Sequence, residues 1–127
     1  MKMDKERRKE LKAQAGQVKT KMGIYQLKNK RNGKIYLASS SNLKNQDLRL
    51  RMRLNDGRHI NAELQKDWDA AGDCAEAEFL FEILDEYEVE DDMDVKRELE
   101  KLEEAWLDQV SPYGEKGYMR KKTSYSS

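Results

Sequence analysis

Asn32-Gly33, set between the runs Met22 to Lys28 and Lys34 to Ser39, is the feature that most limits what this chain can fold into. Asn and Gly both accept positive φ, which the central positions of a two-residue hairpin turn require. A two-residue loop places Leu27 opposite Ala38 and Asn29 opposite Tyr36. Side chains alternate with period two along a strand, so Tyr25, Leu27, Tyr36 and Ala38 then share one face. That is what a site built from two phenols would need, although tyrosine is also an ordinary strand residue that packs. A change of one residue in the loop would separate the two rings.

The rest of the chain supplies partners for that hairpin. Residues 41–54 read two ways. Leu48, Leu50, Met52 and Leu54 alternate with Arg49, Arg51 and Arg53, and this period-two pattern favours an extra short strand over a helix. In that strand the three arginines form one basic ridge. After the Asn55-Asp56-Gly57 turn, Ile60, Leu64, Trp68 and Ala71 mark a helix with one buried face, ended by Gly72. Ala77 to Leu84 reads as a strand with Phe79, Phe81 and Ile83 on one side, giving the hairpin the third strand that a stable sheet needs. Asp85 to Asp92 reads as a solvated acidic loop. Val95, Leu99, Leu102, Trp106 and Val110 then mark a second amphipathic helix, closed by Pro112. The expected fold is α/β of the α+β kind: a small antiparallel three-stranded sheet, with or without a short fourth strand, flanked by helices.

Length and charge bound the function. The 127 residues match one compact domain over 19–119, preceded by a basic helical extension over 1–18 and followed by a disordered polar tail over 120–127. Charged residues reach 39% and mean hydropathy is -1.08, with no long apolar run and no secretory h-region, so the chain reads as a cytoplasmic protein without a membrane partner. One cysteine, Cys74, and one histidine, His59, exclude a disulfide and a structural zinc cluster. The net charge of zero hides a split. Residues 1–66 hold 18 Lys/Arg against 6 Asp/Glu, net +12, and residues 67–127 hold 7 against 19, net -12. The basic half suits phosphate contact, with Arg49, Arg51, Arg53 and Arg58 as candidate nucleic-acid ligands. Equally, the halves could neutralise each other, associate head to tail or meet a protein partner.

On the last helix, phase separates the acids. At about 100° per residue Glu103 lies roughly 40° from Leu99 and 60° from Trp106, beside the buried stripe, whereas Glu100 and Glu104 point to solvent. Glu103 is therefore the carboxylate that leans toward the sheet.

Gly23-Ile24-Tyr25 and Tyr36-Leu37-Ala38 on the hairpin resemble the signature of the GIY-YIG nucleases. The likeness runs on, in order, through Ser41 to Asn45, Gly57-Arg58-His59, Leu64-Gln65 with Trp68, Phe79 to Glu82, and Glu103 with Trp106. The resemblance implies that Tyr25 helps activate water, that Tyr36 steadies the scissile phosphate and that Glu103 holds one Mg2+ or Mn2+ ion. It also places His59 where some relatives use a histidine. It implies nucleic acid as the partner, DNA in preference to RNA. Four positions depart from the pattern. Gln46 stands where the resemblance implies a catalytic arginine, Leu50 where a histidine is common, Ala38 for the second motif's glycine and Met119 for an asparagine. The reading is a divergent GIY-YIG-like domain that binds nucleic acid with weak or lost hydrolysis. The alternatives are an active metal-dependent endonuclease with a rearranged site, and a protein-interaction module.

Overall fold

The computed structural model describes residues 20–119, so the helical extension expected over 1–18 and the tail expected over 120–127 lie outside it. Strands β1 (Lys21–Asn29) and β2 (Ile35–Ser40) form the hairpin, and β3 (Phe79–Glu88) pairs with the other edge of β1. The sheet is antiparallel throughout, in the order β2-β1-β3. With neighbours on both sides, β1 has its Ile24 and Leu27 side chains fully buried.

The hairpin loop is longer than Asn-Gly predicts. Asn29 and Lys34 close it, the Asn29 N–H donating to the Lys34 carbonyl at 2.9 Å and the Gly33 N–H to the Asn29 carbonyl at 2.8 Å. Asn29 Oδ1 accepts from the Arg31 N–H, and Gly33 supplies a φ of 77°. Leu27 accordingly faces Tyr36 and Tyr25 faces Ala38. The pairing differs from the expected one by two residues. An even shift keeps each side chain on its face, so the two phenols still share a surface.

Residues 46–54 are not an extra strand. They form helix α1 (Gln46–Asn55). Leu50 and Leu54 are buried one turn apart, while Leu48 and Met52, also one turn apart, are exposed. Two i, i+4 stripes, one inside and one outside, mimic strand alternation when written in line. The proposed arginine ridge is lost with the strand, because positions two apart on a helix point in different directions.

Helix α2 (Ala62–Ala71) is capped by Asn61, whose side chain accepts from the Leu64 N–H, and ends at Gly72 with φ 56°. Leu64 and Trp68 face inward, but Ile60 precedes the helix and is 87% exposed. A short helix α3 (Ala75–Glu78) then leads into β3, which begins at Phe79 rather than Ala77. The first half of the acidic stretch, Asp85 to Glu88, is strand rather than loop. Tyr25 pairs with Ile83 but its neighbour Ile24 pairs with Asp85, so Leu84 is the extra residue of a β-bulge. The bulge transfers the later odd-numbered residues to the opposite face, and this break in alternation disguises the strand. Helix α4 (Val95–Val110) is capped by Asp94, whose carboxylate accepts from the Arg97 N–H.

One face of the sheet carries Tyr25, Leu27 and Tyr36 against Leu50 and Leu54 of α1 and Leu64 and Trp68 of α2. The other face, with Met22, Ile24 and Leu37, lies against α4, where Trp106 Nε1 donates to Asp85 Oδ2 at 3.0 Å. Gly23 sits beside the bulge, where a Cβ would lie 1.9 Å from the Asp85 carbonyl oxygen. That oxygen is backbone and cannot swing aside. Gly23→Ala is expected to destabilise the protein by about 3 kcal/mol and to lower Tm by about 10 °C or more, as read in a thermal melt. An unchanged Tm would show that β1 and β3 do not hold this close approach in solution.

Candidate functional site

Three of the expected site residues are buried on one side of the sheet, and two of them touch. Tyr25 on β1 and Tyr36 on β2 are both buried, and the Tyr25 ring stacks on Phe81 with centroids 5.4 Å apart. The His59 ring meets Tyr36 edge-on, at 4.8 Å and 84°. His59 is not the solvated turn residue that its polar neighbours suggest, since only 8% of it is exposed. Gln65 of α2 accepts the His59 N–H at 3.1 Å, and His59 Nδ1 accepts the Asn61 N–H at 2.9 Å. The loop between α1 and α2 is thereby folded onto the sheet. Because Nδ1 is used as an acceptor, the neutral ring carries its proton on Nε2.

Burial governs the electrostatics of this cluster. It pushes both phenols above their usual range, reinforced at Tyr25 by Tyr36 and at both rings by the charge of Glu103. Arg53 opposes that rise at both tyrosines, and Arg49 opposes it at Tyr25. Burial also lowers His59, and Arg53 lowers it further. At neutral pH the site therefore presents two protonated phenols and a neutral imidazole.

Glu103 lies where its helical phase predicts. It is half-buried on α4, its charge is felt at both phenols, and Glu100 and Glu104 on the same helix are exposed. Among the described residues no three His, Cys, Asp or Glu side chains gather as ligands, so zinc has no cage. A single carboxylate fits a hard, oxygen-seeking ion of the Mg2+ kind, which keeps several waters and takes further ligands from phosphate.

The four arginines have separate fates. Arg51 turns away from the phenols. Its guanidinium pairs with Asp47 at 2.6 Å and Glu76 at 3.1 Å, donates to the Phe79 carbonyl at 2.6 Å and lies over the Trp68 ring. Arg49 donates to the carbonyls of Lys44 and Asn42 and to Gln46 Oε1, and Gln46 Nε2 in turn reaches the Tyr25 hydroxyl at 3.4 Å. Arg58 pairs with Asp56 at 2.8 Å. The Arg53 guanidinium makes no hydrogen bond or ion pair with another described residue. Together with Met52 and Asp56, Arg49, Arg53 and Arg58 line an open hollow of about 480 Å³. The resemblance singles out Gln46 and the charge pattern Arg53, but that the two lie along one line of α1 follows only from helical phase, which reading 46–54 as a strand hid.

The lowered His59 makes folding pH-dependent with a definite sign. Above the unfolded value of 6.5 the ring is neutral in both states and has no effect. Below it the unfolded chain takes up the proton more readily, so stability falls as pH drops. We expect denaturation midpoints to decline from pH 7 toward pH 5 and His59→Gln to flatten that decline. This is the only histidine in the sequence, so an unchanged slope in the variant would show that the ring titrates normally.

No family model matches the chain, and no curated protein matches it by sequence. Two solved structures do. One is the catalytic domain of the homing endonuclease I-TevI, 27% identical with a TM-score of 0.63, covering 80% of this chain and 99% of that one. The other is a point mutant of the catalytic domain of intron endonuclease I-TevI, also 27% identical, with a TM-score of 0.58, covering 72% of this chain and 84% of that one. I-TevI is a GIY-YIG homing endonuclease. The three-stranded antiparallel sheet with its flanking helices, together with this likeness, shows that the chain has a GIY-YIG-like, nuclease-like fold.

Proposed function

We propose that this domain binds nucleic acid, DNA in preference to RNA, on the face where α1 adjoins the phenol cluster, and that it hydrolyses phosphodiesters slowly at most. The observation that carries this reading is the burial of Tyr25, Tyr36 and His59, which disfavours the charged form of each. Tyr25, Tyr36 and His59 are all neutral and, through two hydroxyls and the Nε2–H, all able to donate. Donors beside guanidinium groups suit phosphate oxygens. Ionising a water is harder, because the imidazole lone pair is committed to the Asn61 N–H and neither phenol ionises near neutrality. Gln46, where the resemblance implies an arginine, brings no charge to the phosphate.

In hydrolysis the water oxygen would bond to phosphorus while the bond from phosphorus to one sugar oxygen breaks. One water proton ends on that sugar oxygen, and the other stays on the new phosphomonoester or passes to solvent. Glu103 would hold the Mg2+ or Mn2+ ion, whose contribution is Lewis-acid polarisation of a phosphoryl oxygen. Tyr36 and His59 would orient the phosphate through their protons, and Tyr25, held by Gln46, would orient the water.

Among the four arginines, Arg49, Arg53 and Arg58 border the hollow beside the cluster, while Arg51 is occupied with α3 and β3. No helix among the described residues is long and apolar enough to cross a membrane. I-TevI is named as an endonuclease, which supports nucleic acid over a protein partner.

The test is binding of purified protein to single- and double-stranded DNA and RNA over a salt series, with EDTA, Mg2+ or Mn2+. We expect DNA affinity to fall steeply with salt and to survive EDTA. Arg58→Ala should lower the log-log slope by about 0.9, as expected for one lost phosphate contact, whereas Arg51→Ala should leave the slope alone and lower Tm. Any cleavage should need the metal and disappear in Glu103→Ala. Salt-independent or absent binding would count against the reading.

A further inference from the structure

Any phosphodiester held at this cluster gathers negative charge on its non-bridging oxygens as water attacks, and the group in contact with Tyr25 from α1 is the uncharged Gln46 amide. The candidate cations near the site are few. Arg49 is anchored by two backbone carbonyls and by Gln46 Oε1. Arg58 is paired with Asp56. Arg51 is on the other side of α1, bound to Asp47, Glu76 and Phe79. Arg53 alone of the four keeps its guanidinium uncommitted among the described residues.

Its position suits the task. Residue 53 lies seven places after residue 46, so the two fall within about 20° of each other around α1 and about 10 Å apart along it. That line borders the face that buries Leu50 and Leu54 in the core cluster containing both phenols. Arg53 also borders the loop that carries His59, because its carbonyl accepts the Arg58 N–H at 3.0 Å. It therefore stands between the Gln46–Tyr25 end of the site and the Tyr36–His59 end, at the lip of the 480 Å³ hollow. Among the four arginines it is also the one whose charge reaches Tyr25, Tyr36 and His59 together, whereas that of Arg49 reaches Tyr25.

We infer that Arg53 is a catalytic residue of this chain, the guanidinium that binds the phosphate in the transition state of its slow hydrolysis, displaced two turns along α1 from the position now filled by Gln46. This rests on the reading of the site as one that holds a phosphodiester. Arg53 forms no covalent bond and transfers no proton; it neutralises charge on the two non-bridging oxygens through paired N–H donors. Such a group acts on the rate more than on ground-state affinity.

The experiment follows cleavage and binding of one DNA substrate by the parent protein, Arg53→Gln, Arg53→Lys, and Arg53→Gln combined with Gln46→Arg. Arg53→Gln is expected to slow single-turnover cleavage by about 100-fold or more, with Kd weakened by less than about tenfold. Arg53→Lys should recover part of the rate, because it restores charge without the fork. The double variant should regain cleavage by returning the cation to the Tyr25 end. A second readout needs neither metal nor turnover: His59 followed by NMR should titrate at higher pH in Arg53→Gln than in the parent, since a nearby positive charge has been removed. Arg53→Gln cleaving at the parental rate would overturn the inference, as would an unmoved His59 titration. A parent that binds DNA but never cuts it would also overturn the inference while leaving the binding reading intact. A parent that does not bind would remove both.

Discussion

The fold and the site both depend on one constraint, the even register between β1 and β2. The strand period is two, so every arrangement that places Tyr25 and Tyr36 on one face differs from the others by two residues. The four-residue loop from Lys30 to Gly33 satisfies this condition, as the two-residue loop would have done. The face so defined is the one that α1 and α2 cover, and their Leu50, Leu54, Leu64 and Trp68 pack on the residues that carry the phenols. A slip of one would turn Tyr25 and Leu27 together toward α4. Folding and site formation are thus the same event: the hydrophobic effect that buries this face also removes the phenols from water.

How far the sequence discloses this architecture differs from element to element. Asn32-Gly33 announces the hairpin, but not its loop length. The length is fixed by Asn29, whose Oδ1 takes the Arg31 N–H while its Nδ2 donates to the Tyr118 hydroxyl at 3.0 Å. A contact to a residue 89 positions away has no local signature. On α1, propensity and alternation disagree, and tertiary packing decides by burying one i, i+4 stripe and leaving the other outside. β3 is hidden by the bulge at Leu84, which changes which residues face inward. His59 looks solvated because its neighbours are polar, yet those neighbours hold it down: Asn61 and Gln65 spend their polar groups on its backbone and ring. Glu103, by contrast, is legible, because helical phase alone separates it from Glu100 and Glu104.

Placing these groups under cover has chemical consequences that do not follow from residue type. A buried phenol surrounded by apolar side chains is costly to ionise, and a neighbouring carboxylate makes it costlier. The same burial penalises imidazolium. Tyrosine and histidine that could act as acids and bases in water become fixed hydrogen-bond donors here. A phosphate diester, with two charged oxygens and no proton to give, suits such a surface well. Attack by water suits it less, since the transition state needs a proton acceptor and a cation in addition.

The placement of the cation follows from the same logic. An arginine beside Tyr25 would have to leave water and be paid for by a substrate that is absent most of the time. Gln46 avoids that cost. Its amide donates to the phenol oxygen and accepts from Arg49, so the phenol is met by a neutral group and the guanidinium is held one residue further out. The positive charge resides instead on residues at the rim of the hollow, where solvent supports it until a phosphate arrives. A rim guanidinium loses less hydration when the substrate binds, but it is less preorganised for the transition state than a buried one. In the proposed function this trade favours retention of nucleic acid over its rapid cleavage, and it is set on α1, where Leu50 and Leu54 turn into the core while Arg53 stays exposed beside them.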